Sequence, residues 1–150
     1  MTTTFISSIF VGLNRAYIYI WVSKTHKIIY VGMTNSRTGT LGRAQQHLDV
    51  KGTLRANFLN KIGYSIDSTI DLHLLSFRLP PSKSFSTTER SYREGVEYLV
   101  QKELLVLSGT LVPNYQVISW VRTSSRIGNG IVKKAARQIV DEFKIIYPTV

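Results

Sequence analysis

A chain of 150 residues with 43% hydrophobic residues, 10 Gly, 4 Pro and no Cys has the size and composition of one ordinary packed domain. Collagen-like and low-complexity chains are excluded, as are disulfide scaffolds, thiolate zinc sites and cysteine nucleophiles. The formal net charge of +10, with no apolar run near the ~18 residues of a membrane span and no basic signal-like start in Met1–Gly12, predicts a soluble, cytoplasmic protein that meets a polyanion and no membrane.

The placement of the charge sharpens this expectation. Residues 1–48 hold five bases and no acid, residues 49–103 hold eight bases against seven acids, and residues 104–150 hold six bases against Asp141 and Glu142. Acids are confined while bases are spread, so nucleic acid is the favoured polyanion.

Taken in chain order, Ala16–Ser23 and Lys27–Gly32 are rich in β-branched and aromatic residues and flank the polar turn Lys24-Thr25-His26, which predicts a hairpin. Leu41–Leu48 follows as a short helix with Leu41, Ala44 and Leu48 forming its apolar stripe. Leu54–Ile62, stopped by Gly63, is a second helix, and Ile70–Arg78 is a third strand. The stretch from Pro80-Pro81 through the serines to Thr88 is a loop, after which Thr87 or Thr88 caps a long helix to about Leu107, with Gly109 past its end. Val117–Val121 is a short strand and Val132–Ile146 a C-terminal helix. The pattern predicts an α/β (α+β) fold with a small central mixed or antiparallel sheet flanked by helices, in a single domain.

Several of these elements bring reactive side chains together. Tyr19 on the first strand and Tyr30 on the second can meet on one side of the sheet, although aromatic cross-strand pairs are also common stabilisers. Arg43 and His47, four residues apart on the next helix, pair a permanent cation suited to phosphate with an imidazole that exchanges protons near neutrality. The long helix adds Glu89, Glu94, Glu97 and Glu103, of which Glu97 and Glu103 stand beside apolar positions and are the alternatives for a carboxylate that holds a divalent cation.

In this order the residues resemble the GIY-YIG nuclease family. Tyr17-Ile18-Tyr19 stands where the family has Gly-Ile-Tyr, Tyr30-Val31-Gly32 is the second signature, and Leu41-Gly42-Arg43 with His47 is similar to the Arg-x-x-x-His helix of the family's compact restriction-endonuclease branch. Lys51-Gly52-Thr53-Leu54-Arg55-Ala56-Asn57 also looks like the family's next helix. The likeness spans about residues 16–116, and the remainder to residue 150 is a basic arm and helix. It departs from the pattern in Tyr17 for the first Gly, in an insertion Thr34–Gly39, and in Pro113-Asn114-Tyr115-Gln116, where Asn114 or Gln116 takes the family's amide role.

The resemblance implies a metal-dependent endonuclease that cleaves double-stranded DNA with Mg²⁺, for which Mn²⁺ can substitute, leaving 5′-phosphate and 3′-hydroxyl ends. It places Tyr19, Tyr30, Arg43, His47 and Glu97 at the catalytic centre, with Glu97, or alternatively Glu103, on the metal. A small type II restriction-type enzyme is the expected role, and cutting both strands implies a homodimer or a transient dimer on DNA. The alternatives are a catalytically silent nucleic-acid-binding module of the same fold and a repair or homing nuclease. Contacts to DNA are expected from Arg37, Lys51, Arg55, Asn114, Arg122, Arg126, Lys133 and Lys134.

Overall fold

The computed structural model describes residues 16–69, 71–111, 114–120 and 122–150, so Ile70, Pro113, Val121 and the Met1–Gly12 segment lie outside the described residues. The predicted hairpin forms as β1 (Tyr17–Ser23) and β2 (Ile28–Thr34), paired antiparallel with Tyr19 opposite Gly32 and Trp21 opposite Tyr30. β3 (His73–Arg78) pairs antiparallel to the other edge of β1, and the two-residue β4 (Gln116–Val117) runs parallel to β2. The resulting mixed sheet has the order β3-β1-β2-β4.

Its two faces are closed by different helices. Side chains alternate across a strand, so Ile18, Ile20 and Val22 with Ile29 and Val31 face one way, and Tyr19, Trp21, Ile28 and Tyr30 the other. The first set packs beneath the long α4 (Ser91–Leu107) and α5 (Gly130–Ile146), through Val96, Val100 and Leu104 and through Val132, Ala136, Ile139 and Phe143. The second set packs beneath α1 (Gly39–Leu48) and α2 (Thr53–Ile62), through Ala44, Leu54 and Phe58. Each fully buried Ile or Leu in these layers contributes roughly 1.5–3 kcal/mol. Gly63, at φ 90, ends α2 in the left-handed conformation that a residue with a Cβ resists.

Four local expectations are corrected. The Pro80–Thr88 stretch contains a one-turn helix, α3 (Lys83–Ser86), whose Ser82 side chain accepts from the Ser84 amide and whose Phe85 is buried. The long helix starts at Ser91 rather than after Thr87 or Thr88, because the Thr87 carbonyl is occupied as an acceptor for Arg93 and Asn35, which holds that residue outside the helix. The third strand begins at His73, since the Asp71 carboxylate is drawn back to cap the hairpin by accepting from Ser23 Oγ and the Thr25 amide. The fourth strand is only Gln116–Val117, because Ser119 Oγ, rather than a backbone carbonyl, accepts the Val31 amide and the ladder stops there.

Candidate active site

α1 is rotated relative to the sequence expectation. Leu41 and Leu48 lie on its exposed side, at 39% and 37% exposure, while Thr40, Ala44 and His47 are buried. The sheet beneath α1 presents hydroxyls as well as hydrocarbon, and the helix turns its hydrogen-bonding residues to meet them. Thr40 Oγ1 bonds Ser76 Oγ at 2.5 Å, and His47 Nε2 lies 2.5 Å from Tyr19 Oη. The Arg43/His47 pair of α1 is thus split between a buried imidazole and a half-buried guanidinium.

His47 is held at both nitrogens, with Nδ1 3.1 Å from Thr53 Oγ1 at the start of α2. Its ring meets Tyr19 and Tyr30 with centroids at 5.4 and 5.1 Å, so both signature tyrosines lie against one imidazole. Burial, aided by the nearby Arg43 charge, pushes His47 down to about 4, which leaves it neutral at pH 7. A neutral imidazole offers one donor and one acceptor. In the tautomer whose Nδ1–H donates to Thr53, Nε2 is left to accept the Tyr19 phenol.

Burial raises Tyr19, and Arg43 only partly offsets it, so Tyr19 is a phenol at neutral pH. Tyr30 is raised by burial too, with Thr53 and Arg43 acting in the opposite sense. Gly32 makes room for this arrangement: a Cβ there would fall 2.2 Å from Tyr19 Oη, so the glycine of the second signature is the floor on which the first signature's hydroxyl rests.

Glu97 is the acid tied to this cluster. Its charge is felt by both Tyr19 and Tyr30, and Arg90, Arg43 and Arg122 act on it in return. Burial, with the neighbouring Glu94, pushes its carboxyl up to about 7, and no hydrogen-bond or ion-pair partner reaches it among the described residues. Glu103 is exposed and lines a different groove with Lys133 and Arg137 of α5. Among the described residues no cluster of three or more His, Asp or Glu side chains could form a metal cage. Mg²⁺ nevertheless suits a single carboxylate when phosphate oxygens and water complete its shell, and a desolvated, unpartnered Glu97 is a group that a cation relieves.

Three residues that sequence reasoning did not place at the site, Arg93, Gln101 and Asn57, frame it. Arg93, Glu97 and Gln101 recur at i, i+4 and i+8 on α4, a polar row on a helix that is otherwise a core element. Gln101 Nε2 donates to Ser119 Oγ at 3.1 Å and to the Trp120 carbonyl at 3.3 Å, fixing the segment after β4. From the other layer, Asn57 Nδ2 donates to the Ile118 carbonyl at 2.9 Å and its Oδ1 accepts from Trp120 Nε1 at 3.1 Å. The spacing of the polar residues on α4 was the available signal.

The residues expected on DNA are dispersed. Arg37, Lys51, Asn114 and Arg122 are exposed, the first two in the turns before and after α1. Arg55 is committed elsewhere, making two bonds to Asp67 at 2.5 and 2.9 Å and two to the Leu48 carbonyl. That pairing pulls Asp67 down to about 2. Arg126 pairs with Glu89 at 3.4 Å and lies over the Tyr92 ring. Lys133 and Lys134 are exposed on α5, in the layer opposite α1. Of the two amide candidates, Asn114 and Gln116, both exposed, the second stands in β4 beside Ile28. Among the described residues no helix is long and apolar enough to cross a membrane. No family model, curated protein or solved structure matches the chain.

Proposed function

We propose that the chain is a metal-dependent endonuclease that hydrolyses DNA phosphodiester bonds, a small restriction-type enzyme of the GIY-YIG kind acting in the cytoplasm. The observation that carries the reading is the convergence on one imidazole of Tyr19 from β1 and Tyr30 from β2, with Arg43 and Glu97 electrostatically joined to them from α1 and α4. These five residues lie between positions 19 and 97; Tyr19 and Tyr30 also pack in the apolar cluster beneath α1 and α2, while His47, Arg43 and Glu97 belong to neither apolar cluster.

The chemistry follows from their states. Arg43 is a fixed cation beside Tyr19 and is suited to the charge that develops on a phosphate under attack. Tyr19 Oη can accept a proton from the attacking water while its own passes to His47 Nε2, a neutral acceptor already at 2.5 Å. Tyr30, against the same imidazole, positions water or phosphate. Glu97 would hold a Mg²⁺ ion, which when bound supplies charge neutralisation at the phosphate and the leaving oxygen. Departure of the 3′ oxygen leaves a 5′-phosphate and a 3′-hydroxyl.

Double-stranded DNA is the proposed substrate, and a homodimer or a transient dimer on DNA would bring the two sites that a double-strand cut needs. The test is incubation of DNA of genomic complexity with the purified chain in Mg²⁺, in Mn²⁺ and in EDTA. Cleavage dependent on the metal and lost in Tyr19→Phe is the expected result. DNA binding without cleavage in either metal would replace this reading with a silent binding module.

A further inference from the structure

A cleft of about 410 Å³ opens beside the site between the end of β2, α1 and the start of α4. Arg43, Arg90 and Arg93 line it, and no carboxylate does among the described residues. Arg93 is the unusual member. It is 1% exposed and has no carboxylate paired to it among the described residues. Its Nη1 donates to the Phe85 and Thr87 carbonyls, both at 2.7 Å, and its Nε is buried without an acceptor. A buried full charge resting on carbonyls alone is costly, and an unpaired donor adds to the cost, unless an anion supplies the missing partner.

Two further observations converge on the same volume. Arg43 gives Nη1 to Gln46 Oε1 at 2.6 Å, and its Nε, like that of Arg93, is buried and unpaired. The 17-residue α4 begins at this cleft with Arg90 as its N-cap and no side-chain acceptor for its first amides. Arg90 itself is exposed at the lip, where it makes an i, i+4 ion pair with Glu94 at 3.4 Å. Buried unpaired donors on two arginines, an uncapped helix start and an exposed cation at the rim together favour a tetrahedral oxyanion in the cleft.

We propose that this cleft is a phosphate-binding subsite centred on Arg93, which takes the phosphate flanking the one at Tyr19 while Arg43 spans the two. The identification of the phosphate as nucleic-acid backbone rests on the nuclease reading. The cleft's demand for a phosphate does not. Engagement of a second phosphate would fix the strand's register at the site, so the role of Arg93 is to position the scissile bond.

The experiment observes the arginine Nε–Hε resonances of the full chain, assigned through bonds from the backbone and recorded in EDTA so that nothing is cut. One arm adds a short DNA duplex of mixed sequence and the other adds inorganic phosphate. Saturable movement of the Arg93 and Arg43 resonances by the duplex is the expected result. Movement by inorganic phosphate alone keeps the phosphate site and overturns its assignment to nucleic acid. Movement of Arg43 without Arg93, or of neither, overturns the subsite. Arg93→Gln should weaken duplex binding on the order of tenfold and flatten log K against log salt by about one unit. If that variant does not fold, Arg90→Ala at the exposed lip should flatten the slope in the same way, and an unchanged slope there counts against the subsite. Movement of Arg93 by duplex in a chain that cleaves nothing with Mg²⁺ or Mn²⁺ would sink the nuclease reading and leave the subsite standing.

Discussion

Replacing Gly32 by Ala tests the geometry on which the proposed tyrosine chemistry depends. The added methyl would sit 2.2 Å from Tyr19 Oη, 2.3 Å from Cζ and 2.5 Å from Cε2, whereas ordinary contact begins at 3.4 Å. The ring must therefore retreat by about 1.2 Å, the difference between 3.4 and 2.2. Tyr19 is 2% exposed, so the retreat presses the ring against its neighbours, and overpacking of this kind costs about 1–3 kcal/mol. A shift of that size also breaks the Tyr19–His47 bond inside the protein, adding a further ~1–2 kcal/mol. The expected sum, about 3 kcal/mol, lowers Tm by roughly 6–12 °C for a chain of this length, read by differential scanning calorimetry. Turnover on DNA should fall by on the order of a hundredfold even at temperatures where the variant is folded, because the reacting group has moved by about 1 Å. An alanine variant with wild-type Tm and wild-type turnover would refute the placement of the phenol over Gly32.

The remaining predictions concern charge and packing. In EDTA, folded His47 stays neutral down to about pH 4 while the unfolded chain protonates it near 6.5, so this group destabilises the fold as pH falls through that window. Glu97 acts oppositely: folded it keeps its proton to about pH 7 while unfolded it loses it near 4.5, so it destabilises the fold as pH rises. The two slopes oppose each other between pH 4.5 and 6.5, and Glu97→Gln should expose a loss of about 3 kcal/mol between pH 6.5 and 4, measured by urea midpoints; a flat profile would contradict the buried neutral imidazole. Arg43→Ala and Glu97→Ala should each lower kcat on the order of a hundredfold with folding retained, and Glu103→Ala should leave kcat unchanged; loss of cleavage in Glu103→Ala alone would move the metal to the other groove. Asn57→Ala should cost about 2 kcal/mol in a denaturant titration and release Trp120, seen as a change in tryptophan emission, and an unaltered emission would deny the Asn57–Trp120 bond.

The order and type of the main elements were legible because strand and helix periodicities are local properties, as in the hairpin Tyr17–Thr34 and the helix that Gly63 ends. What escaped was the rotation of α1. An apolar count assigned Leu41 and Leu48 inward, but the surface that α1 meets carries Tyr19 and Ser76 hydroxyls, 28 and 36 positions away from their partners His47 and Thr40. Choosing between Glu97 and Glu103 had the same origin. Both stand near apolar neighbours on α4, and only the placement of β2 and α5 on its two sides tells which carboxylate shares a field with the tyrosines. Arg93 was legible only as a member of the i, i+4, i+8 polar row with Glu97 and Gln101, and that spacing does not tell a buried arginine from a solvated one.

The amide pair of Asn57 and Gln101 has a mechanical meaning. These side chains reach from opposite helical layers and grip the same three residues, Ile118 to Trp120, at the sheet edge beside β2. The segment thereby becomes a strut between the layer that carries Arg43 and His47 and the layer that carries Glu97. Carboxamides have no charge to titrate and none for salt to screen. The gauge of the site, the gap between Arg43 and His47 on one side and Glu97 on the other, is therefore held by fasteners whose grip does not change with acidity or ionic strength, even where the ion pairs on the surface loosen.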